Sequence, residues 1–131
     1  MSRTIKFRAW LIDKRRMLNW DELTSSEEWS ETRFIFAGQV SNSSPVMQWT
    51  GFRDSKDVEI YEGDIVRLAN DLGDVDVGTV EWDGRYGEWV IAGADDILGY
   101  ALEGYRVDVI GNRWENPELM QEADEDGNVP T

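Results

Sequence analysis

Apolar and polar side chains alternate along this chain in short runs, which is the pattern of half-buried β-strands. Phe7, Ala9 and Leu11 share one face of a first strand predicted over residues 4–12. Further strands are predicted over residues 33–40, 47–50, 64–69, 75–83, 88–92 and 105–111, with another beginning at 59–60. Turn-forming residues separate these runs at near-regular spacing, so we expect seven to nine strands. The pattern predicts an all-β fold: a small antiparallel barrel or packed sheets of short strands, with one or two short helical turns.

Between these strands the pattern is less specific. Residues 17–20 are expected to pair back on the first strand as a hairpin, and residues 51–58 are predicted to form a charged turn. Residues 25–28 fit either a capped helical turn or a loop. Residues 97–102 fit either a strand or a helix, and residues 118–123 are predicted to form one helical turn.

One strand contains a change of phase. Val75 and Val77 are in phase with each other, and so are Val80 and Trp82, but the two pairs are out of phase. A β-bulge or bend at Gly78 would place all four side chains on the core face. The sequence therefore predicts an irregularity at Gly78.

The length of 131 residues suits one domain, predicted over residues 1–123, followed by an acidic, disordered tail over residues 124–131. The chain contains no run of apolar residues long enough for a membrane span. The charges at Arg3, Lys6 and Arg8 do not suit a signal peptide. We expect a cytoplasmic location with no membrane contact, and the absence of cysteine fits a reducing compartment.

The chain has neither histidine nor cysteine, which excludes Ser–His–Asp and Cys–His nucleophilic sites and thiolate zinc sites. Any metal site would consist of oxygen ligands, as magnesium and calcium prefer. Three pairs of acids offer such ligands: Glu62 with Asp64, Asp74 with Asp76, and Asp95 with Asp96. With 27 acidic residues such spacings arise by chance, so we predict no cofactor and no enzyme activity. A carboxylate and magnesium-dependent enzyme is kept as an alternative.

Charge is distributed unevenly along the chain. The formal net charge is −14, of which the first 20 residues carry +5 and the remainder −19. A field this negative disfavours nucleic acid, and its simplest interpretation is a solvated surface that keeps the protein in solution. The alternative interpretation is a surface that binds a basic protein partner or imitates DNA phosphates. One alternative is a nucleic-acid-binding β-barrel that uses the basic N-terminal hairpin. Its residues would be Lys6, Arg8, Lys14, Arg15 and Arg16, together with the aromatic ring of Trp10.

Three sequence blocks stand out by their order and spacing. They are residues 5–10 (IKFRAW) followed by Met17, residues 46–66 with the string IYEGDIV, and residues 109–119 (VIGNRWENPEL). Together they resemble the YopX family of phage and prophage proteins over nearly the whole chain. The resemblance implies an all-β fold, and it assigns no catalytic or ligand residue. The chain differs from the family pattern at the turn tip, residues 55–58, and in its acidic tail.

If the second and third blocks meet, their polar and aromatic side chains are candidates for an interaction surface: Trp49, Tyr61, Glu62, Asp64, Asn112 and Trp114. The leading hypothesis is a phage accessory protein that acts in the host bacterial cytoplasm as a non-enzymatic protein-binding module. Its partner would be a host or phage protein, and a homo-oligomer is compatible with the sequence. The alternative within this class is an acidic DNA mimic that inhibits a host defence or nucleic-acid-handling protein.

Overall fold

Nine strands and two short helices make up the part of the chain that this computed structural model describes, residues 4–12, 14–24 and 44–120. The strands are β1 (Phe7–Leu11), β2 (Arg16–Leu18), β3 (Met47–Arg53), β4 (Glu59–Tyr61), β5 (Asp64–Ala69), β6 (Val75–Asp83), β7 (Glu88–Ala92), β8 (Asp96–Ile97) and β9 (Arg106–Asn112). The helices are α1 (Trp20–Thr24) and α2 (Leu98–Gly104), and residues 117–120 are also helical. The predicted all-β class is confirmed. No helix among these residues is long and apolar enough to cross a membrane.

The chain divides into two compact units, Met1–Trp49 and Thr50–Thr131, and the boundary falls inside β3. In the first unit β1 pairs antiparallel with β2 and with the start of β3, so the predicted N-terminal hairpin is confirmed. Its small core consists of Ala9, Leu11, Leu18 and Leu23, with Phe7, Trp20 and Val46 packed against it. The predicted phase of the first strand is therefore correct. The single domain over residues 1–123 stays a prediction.

Helix α1 begins at Trp20, earlier than the helical turn considered at residues 25–28. The N–H of Glu22 donates to Asn19 Oδ1 over 2.9 Å, and the N–H of Asn19 donates to Glu22 Oε1 over 3.3 Å. This reciprocal pair is a capping box, which satisfies two of the N–H groups that a helix start leaves without partners. The turn at residues 25–28, the strand at 33–40 and the tail at 124–131 lie outside the described residues.

The second unit contains a five-stranded antiparallel sheet in the order β8-β7-β6-β5-β9. One face of this sheet is buried by α2, through Leu98 and Ala101, and by Ile60 of β4. The strand residues of this core are Val66, Leu68, Val80, Trp89, Ile91 and Val107. The ambiguity at residues 97–102 is resolved in favour of a helix that follows directly on a two-residue strand.

The bulge predicted at Gly78 is wrong. The register between β5 and β6 runs without interruption through the pair Val66 and Gly78. Val80 is therefore fully buried, whereas Val75 and Trp82 are about half exposed, at 52% and 50%. The register shift lies instead between β5 and β9, where Ile110 is the extra residue between the partners of Ile65 and Val66.

The predicted turn at residues 51–58 starts too early, because β3 continues to Arg53 through Gly51 at φ +88°. The turn itself is held by the carboxylate of Asp54, whose Oδ1 accepts the N–H groups of Lys56 and Val58 over 2.8 and 2.9 Å. Its other oxygen accepts the N–H of Val109 in β9 over 2.9 Å. One side chain thus ends the β3–β4 hairpin and attaches it to the edge of the larger sheet.

Candidate functional site

The second and third sequence blocks meet where the β4–β5 turn lies beside the end of β9. Asp64 and Asn112 are partners in the sheet register. Gly63, at φ +87°, donates its N–H to the carbonyl of Val80 over 2.8 Å and accepts the N–H of Arg113 over 2.9 Å. The peptide groups of this one glycine therefore connect the turn to β6 and to the segment after β9.

Two buried polar side chains fix this junction. Asp64 is 1% exposed, and its Oδ2 accepts the N–H of Tyr61 over 2.7 Å, which closes the β4–β5 turn. Asn112 is 6% exposed, and its Oδ1 accepts the N–H groups of Trp114 and Glu115 over 3.0 and 2.8 Å. Both oxygens thus satisfy main-chain donors that burial would otherwise leave without partners.

Substitution of Asn112 tests how much its hydrogen bonds to the turn after β9 stabilise the fold. Replacing Asn112 with alanine is expected to lower the free energy of unfolding by about 1–2 kcal/mol, because two partly buried N–H groups lose their acceptor. Asn70 provides a matched control, since its Oδ1 accepts the N–H groups of Leu72 and Asp74 in an exposed turn. Water can replace those bonds, so Asn70→Ala is expected to cost less than about 0.5 kcal/mol. Urea denaturation of both variants measures the difference, and equal losses would contradict it.

The structure brings together five of the six predicted interaction residues. Tyr61, Glu62 and Asp64 form the turn, and Asn112 and Trp114 lie at the end of β9. Trp49 belongs to the first unit, where the Lys6 ammonium lies 4.6 Å from its ring centroid. That these side chains contact a partner stays a prediction. The bonds described above give Asp64 and Asn112 a structural role.

A cleft in the second unit was not predicted from the sequence. It has a volume of about 140 Å³ and lies at the end of the five-stranded sheet where β5 ends and β6 starts. Its wall consists of Leu68, Asn70, Asp74, Val75, Asp76, Ala94, Asp96 and Tyr105. The wall combines three carboxylates with an amide, a phenol and aliphatic groups, and it contains no lysine or arginine.

Local hydrogen bonds hold these carboxylates in place. Asp74 Oδ2 accepts the Asn70 amide over 3.1 Å, while Asp76 and Asp96 each accept the N–H of the next residue over 3.0 and 2.8 Å. Among the described residues, none of the ion pairs involves these three acids. Their charge is therefore not neutralised by a neighbouring base within this part of the chain.

The cleft forms because the β7–β8 turn lies against β6. A Cβ atom at Gly93 would lie 3.5 Å from the carbonyl oxygen of Val77, and one at Gly78 would collide with the carbonyl oxygen of Ala92. This close approach brings Ala94 and Asp96 to the wall that Asp76 forms. The described ranges contain no group of three or more acidic residues placed to hold a metal ion.

Comparisons with known proteins agree with the sequence blocks. The sequence model of a family described as YopX protein matches residues 6–121. The crystal structure of protein EF1440 from Enterococcus faecalis is 24% identical, with a TM-score of 0.61 over 91% of this chain and 99% of that one. The crystal structure of protein yopX from Bacillus subtilis is 19% identical, with a TM-score of 0.55 over 87% and 96%. These likenesses show the fold, and no functionally curated protein matches the chain.

Proposed function

The chain belongs to the YopX family, and we propose that it is a non-enzymatic protein-binding module that receives a basic side chain of its partner in the acidic cleft. The observation that carries this proposal is the composition of the cleft wall. Asp74, Asp76 and Asp96 face an open cleft whose wall has no basic residue. Such a site attracts a lysine or arginine side chain from solution.

The wider charge of the second unit supports the same partner. Residues 50–120 contain 17 acidic and 6 basic side chains, a net charge of −11. A field of this sign accelerates encounter with a basic protein surface and disfavours nucleic acid.

The uncharged wall groups suit the rest of a basic side chain. Val75 and Ala94 offer apolar surface on which the methylene stem of lysine or arginine packs. Tyr105, which is 38% exposed, presents a ring close to the carboxylates, and an aromatic face attracts a cation. The cleft therefore matches both parts of such a side chain.

The proposal places the protein in a bacterial host cytoplasm, as an accessory protein of a phage or prophage whose partner is a host or phage protein. The resemblance of the three sequence blocks to a family of phage and prophage proteins supports this setting. In this proposal the predicted interaction residues around Asp64 and Asn112 stabilise the fold that carries the cleft.

Short peptides test the proposal directly. We expect peptides with one central lysine or arginine to shift the amide NMR signals of Asp76, Ala94 and Tyr105, whereas a norleucine peptide leaves them unchanged. The attraction is electrostatic, so the affinity is expected to fall as salt concentration rises. Equal binding of the norleucine peptide would overturn the proposal.

Charge reversal separates the cleft from the overall charge. Asp76→Lys is expected to weaken binding of the basic peptide by about ten-fold or more, which corresponds to about 1.4 kcal/mol. Glu118→Lys changes the net charge equally at an exposed position outside the cleft wall, and we expect it to weaken binding less than about two-fold. If both substitutions weaken binding equally, the attraction does not depend on the cleft.

A further inference from the structure

The hairpin that joins β6 to β7 exposes aromatic side chains at its end. Trp82 is 50% exposed and Tyr86 is 73% exposed. Trp82 lies opposite Trp89 in the register, and their ring centroids are 5.0 Å apart in an edge-on arrangement. The Arg85 guanidinium lies 5.6 Å from the centroid of the Tyr86 ring. Tryptophan, tyrosine and arginine are the residues that most often dominate the energy of protein interfaces.

This hairpin end is held in one conformation before any partner arrives. Asp83 accepts the N–H of Arg85 over 2.9 Å at its carboxylate, and its carbonyl accepts the N–H of Gly87 over 2.8 Å. Trp89, only 8% exposed, supports the ring of Trp82 from the core side. An exposed aromatic group that is already fixed loses little conformational entropy on binding.

Glu88 and Trp89, the part of β7 nearest the hairpin end, have no strand partner on the β8 side within the described residues. Strand β8 pairs only with Val90 and Ile91, because the chain enters α2 at Leu98. The carbonyl of Ile91 accepts the N–H of Ala94 on the β8 side. Alternate residues of a strand direct their peptide groups to the same side, so the N–H and C=O of Trp89 also face this edge.

We propose that this hairpin end is a second docking surface, where an extended basic segment of a partner protein pairs with β7 beside Trp89 and packs an apolar side chain on Trp82. Addition of a strand to a sheet edge is a recurrent mode of peptide recognition. The net charge of −11 over residues 50–120 selects a basic occupant, since a second copy would bring two like-charged units together. The proposal rests on the proposed protein-binding function and adds a second contact.

The two surfaces lie far enough apart for one to serve as the control of the other. Val75 at the start of β6 lines the cleft, and Asp83 ends the same strand at the hairpin. Nine residues of strand span roughly 26 Å at about 3.3 Å per residue. A partner that contacts both surfaces would gain affinity from each.

Selection of peptides from a random library, with the full-length chain as the bait, tests the proposal. We expect the selected peptides to alternate apolar residues with lysine or arginine and to lose about ten-fold in affinity for Trp82→Ala and for Tyr86→Ala. Tyr100→Ala is the matched control, since Tyr100 is 68% exposed on α2, and its effect is expected to stay below about two-fold. Pairing with β7 also predicts slower hydrogen exchange at the Trp89 amide when the peptide is bound.

The outcomes distinguish this inference from the proposed function. Loss of binding with Asp76→Lys but not with Trp82→Ala or Tyr86→Ala would leave the cleft as the binding site and overturn the hairpin surface. The hairpin surface would also be overturned if no peptide is selected, or if the selected peptides bind all these variants as tightly as the wild type. Tyr86 lies in an exposed loop, so Tyr86→Ala keeps the test valid even if Trp82→Ala unfolds the chain.

Discussion

Replacing Asp54 with alanine is expected to lower the free energy of unfolding by about 3 kcal/mol at neutral pH. Asp54 is 8% exposed, and its carboxylate accepts three main-chain N–H groups, from Lys56, Val58 and Val109. Its loss leaves these donors without their acceptor and removes one of the bonds between the β3–β4 turn and β9, where Ser55 also exchanges two hydrogen bonds with Val107. Urea denaturation, followed by tryptophan fluorescence, measures the change.

Replacing Asp54 with asparagine removes the negative charge of the side chain and keeps nearly the same shape. Both carboxylate oxygens of Asp54 accept hydrogen bonds, whereas an amide has only one acceptor oxygen and would present an NH₂ group to one of the same donors. We therefore expect Asp54→Asn to be destabilising as well. The control is Asp57→Asn in the same turn, where the side chain is 84% exposed, and a change below about 0.5 kcal/mol is expected. A comparable loss in this control would show that the turn is sensitive to any substitution.

The dependence on pH follows from the same contacts. Burial raises the pKa of Asp54, but the N–H groups of Val109, Val58 and Lys56 outweigh it, so the pKa lies below its ordinary value of 3.8. Because the folded chain holds this carboxylate ionised more strongly than the unfolded chain, the stabilisation is complete above the unfolded pKa of about 4. It is lost as the pH falls through the lower, folded pKa. The stability difference between the wild type and Asp54→Asn is therefore expected to shrink below about pH 4, and a difference that does not change with pH would contradict the assignment.

Alternation along the chain was sufficient to predict most of the strands. The phase of Phe7, Ala9 and Leu11 was predicted correctly, because period-two alternation depends only on neighbouring residues. The strand over residues 64–69 was also predicted correctly, although its buried residues are consecutive rather than alternating. Helix α1 escaped prediction because five residues show no helical period. The Asn19 and Glu22 pair was its one local signal.

Contacts between distant residues account for what the sequence did not predict. Asp54 looked like one more charge in a turn, since nothing near it in the sequence reveals the bond to Val109. The cleft depends on the strand order, which places Asp96 and Tyr105 near Asp76 although they lie 20 and 29 positions later in the chain. The acid pairs at Asp74 with Asp76 and at Asp95 with Asp96 were visible in the sequence, but the hydrophobic pattern does not specify which strands are neighbours.

Gly78→Ala is the second substitution with a large expected effect, a loss of about 3 kcal/mol in the free energy of unfolding. A Cβ atom there would lie 2.5 Å from the carbonyl oxygen of Ala92 and 2.6 Å from Cγ2 of Ile91. The first contact is with backbone, so the start of the β7–β8 turn would have to move away from β6. Since that turn carries Ala94 and Asp96, binding of the basic peptide at the cleft is expected to weaken together with stability.

Gly84→Ala in the β6–β7 loop is the matched control, because the nearest atom to its Cβ, Trp82 Nε1, is 4.0 Å away. At such open sites alanine changes stability by less than about 1 kcal/mol, often favourably, because it restricts the unfolded chain. Unchanged stability in Gly78→Ala would show that the β7–β8 turn leaves space for a side chain at this position. A large loss, absent from Gly84→Ala, would show that Gly78 is required because the β7–β8 turn approaches the β6 backbone too closely for any side chain.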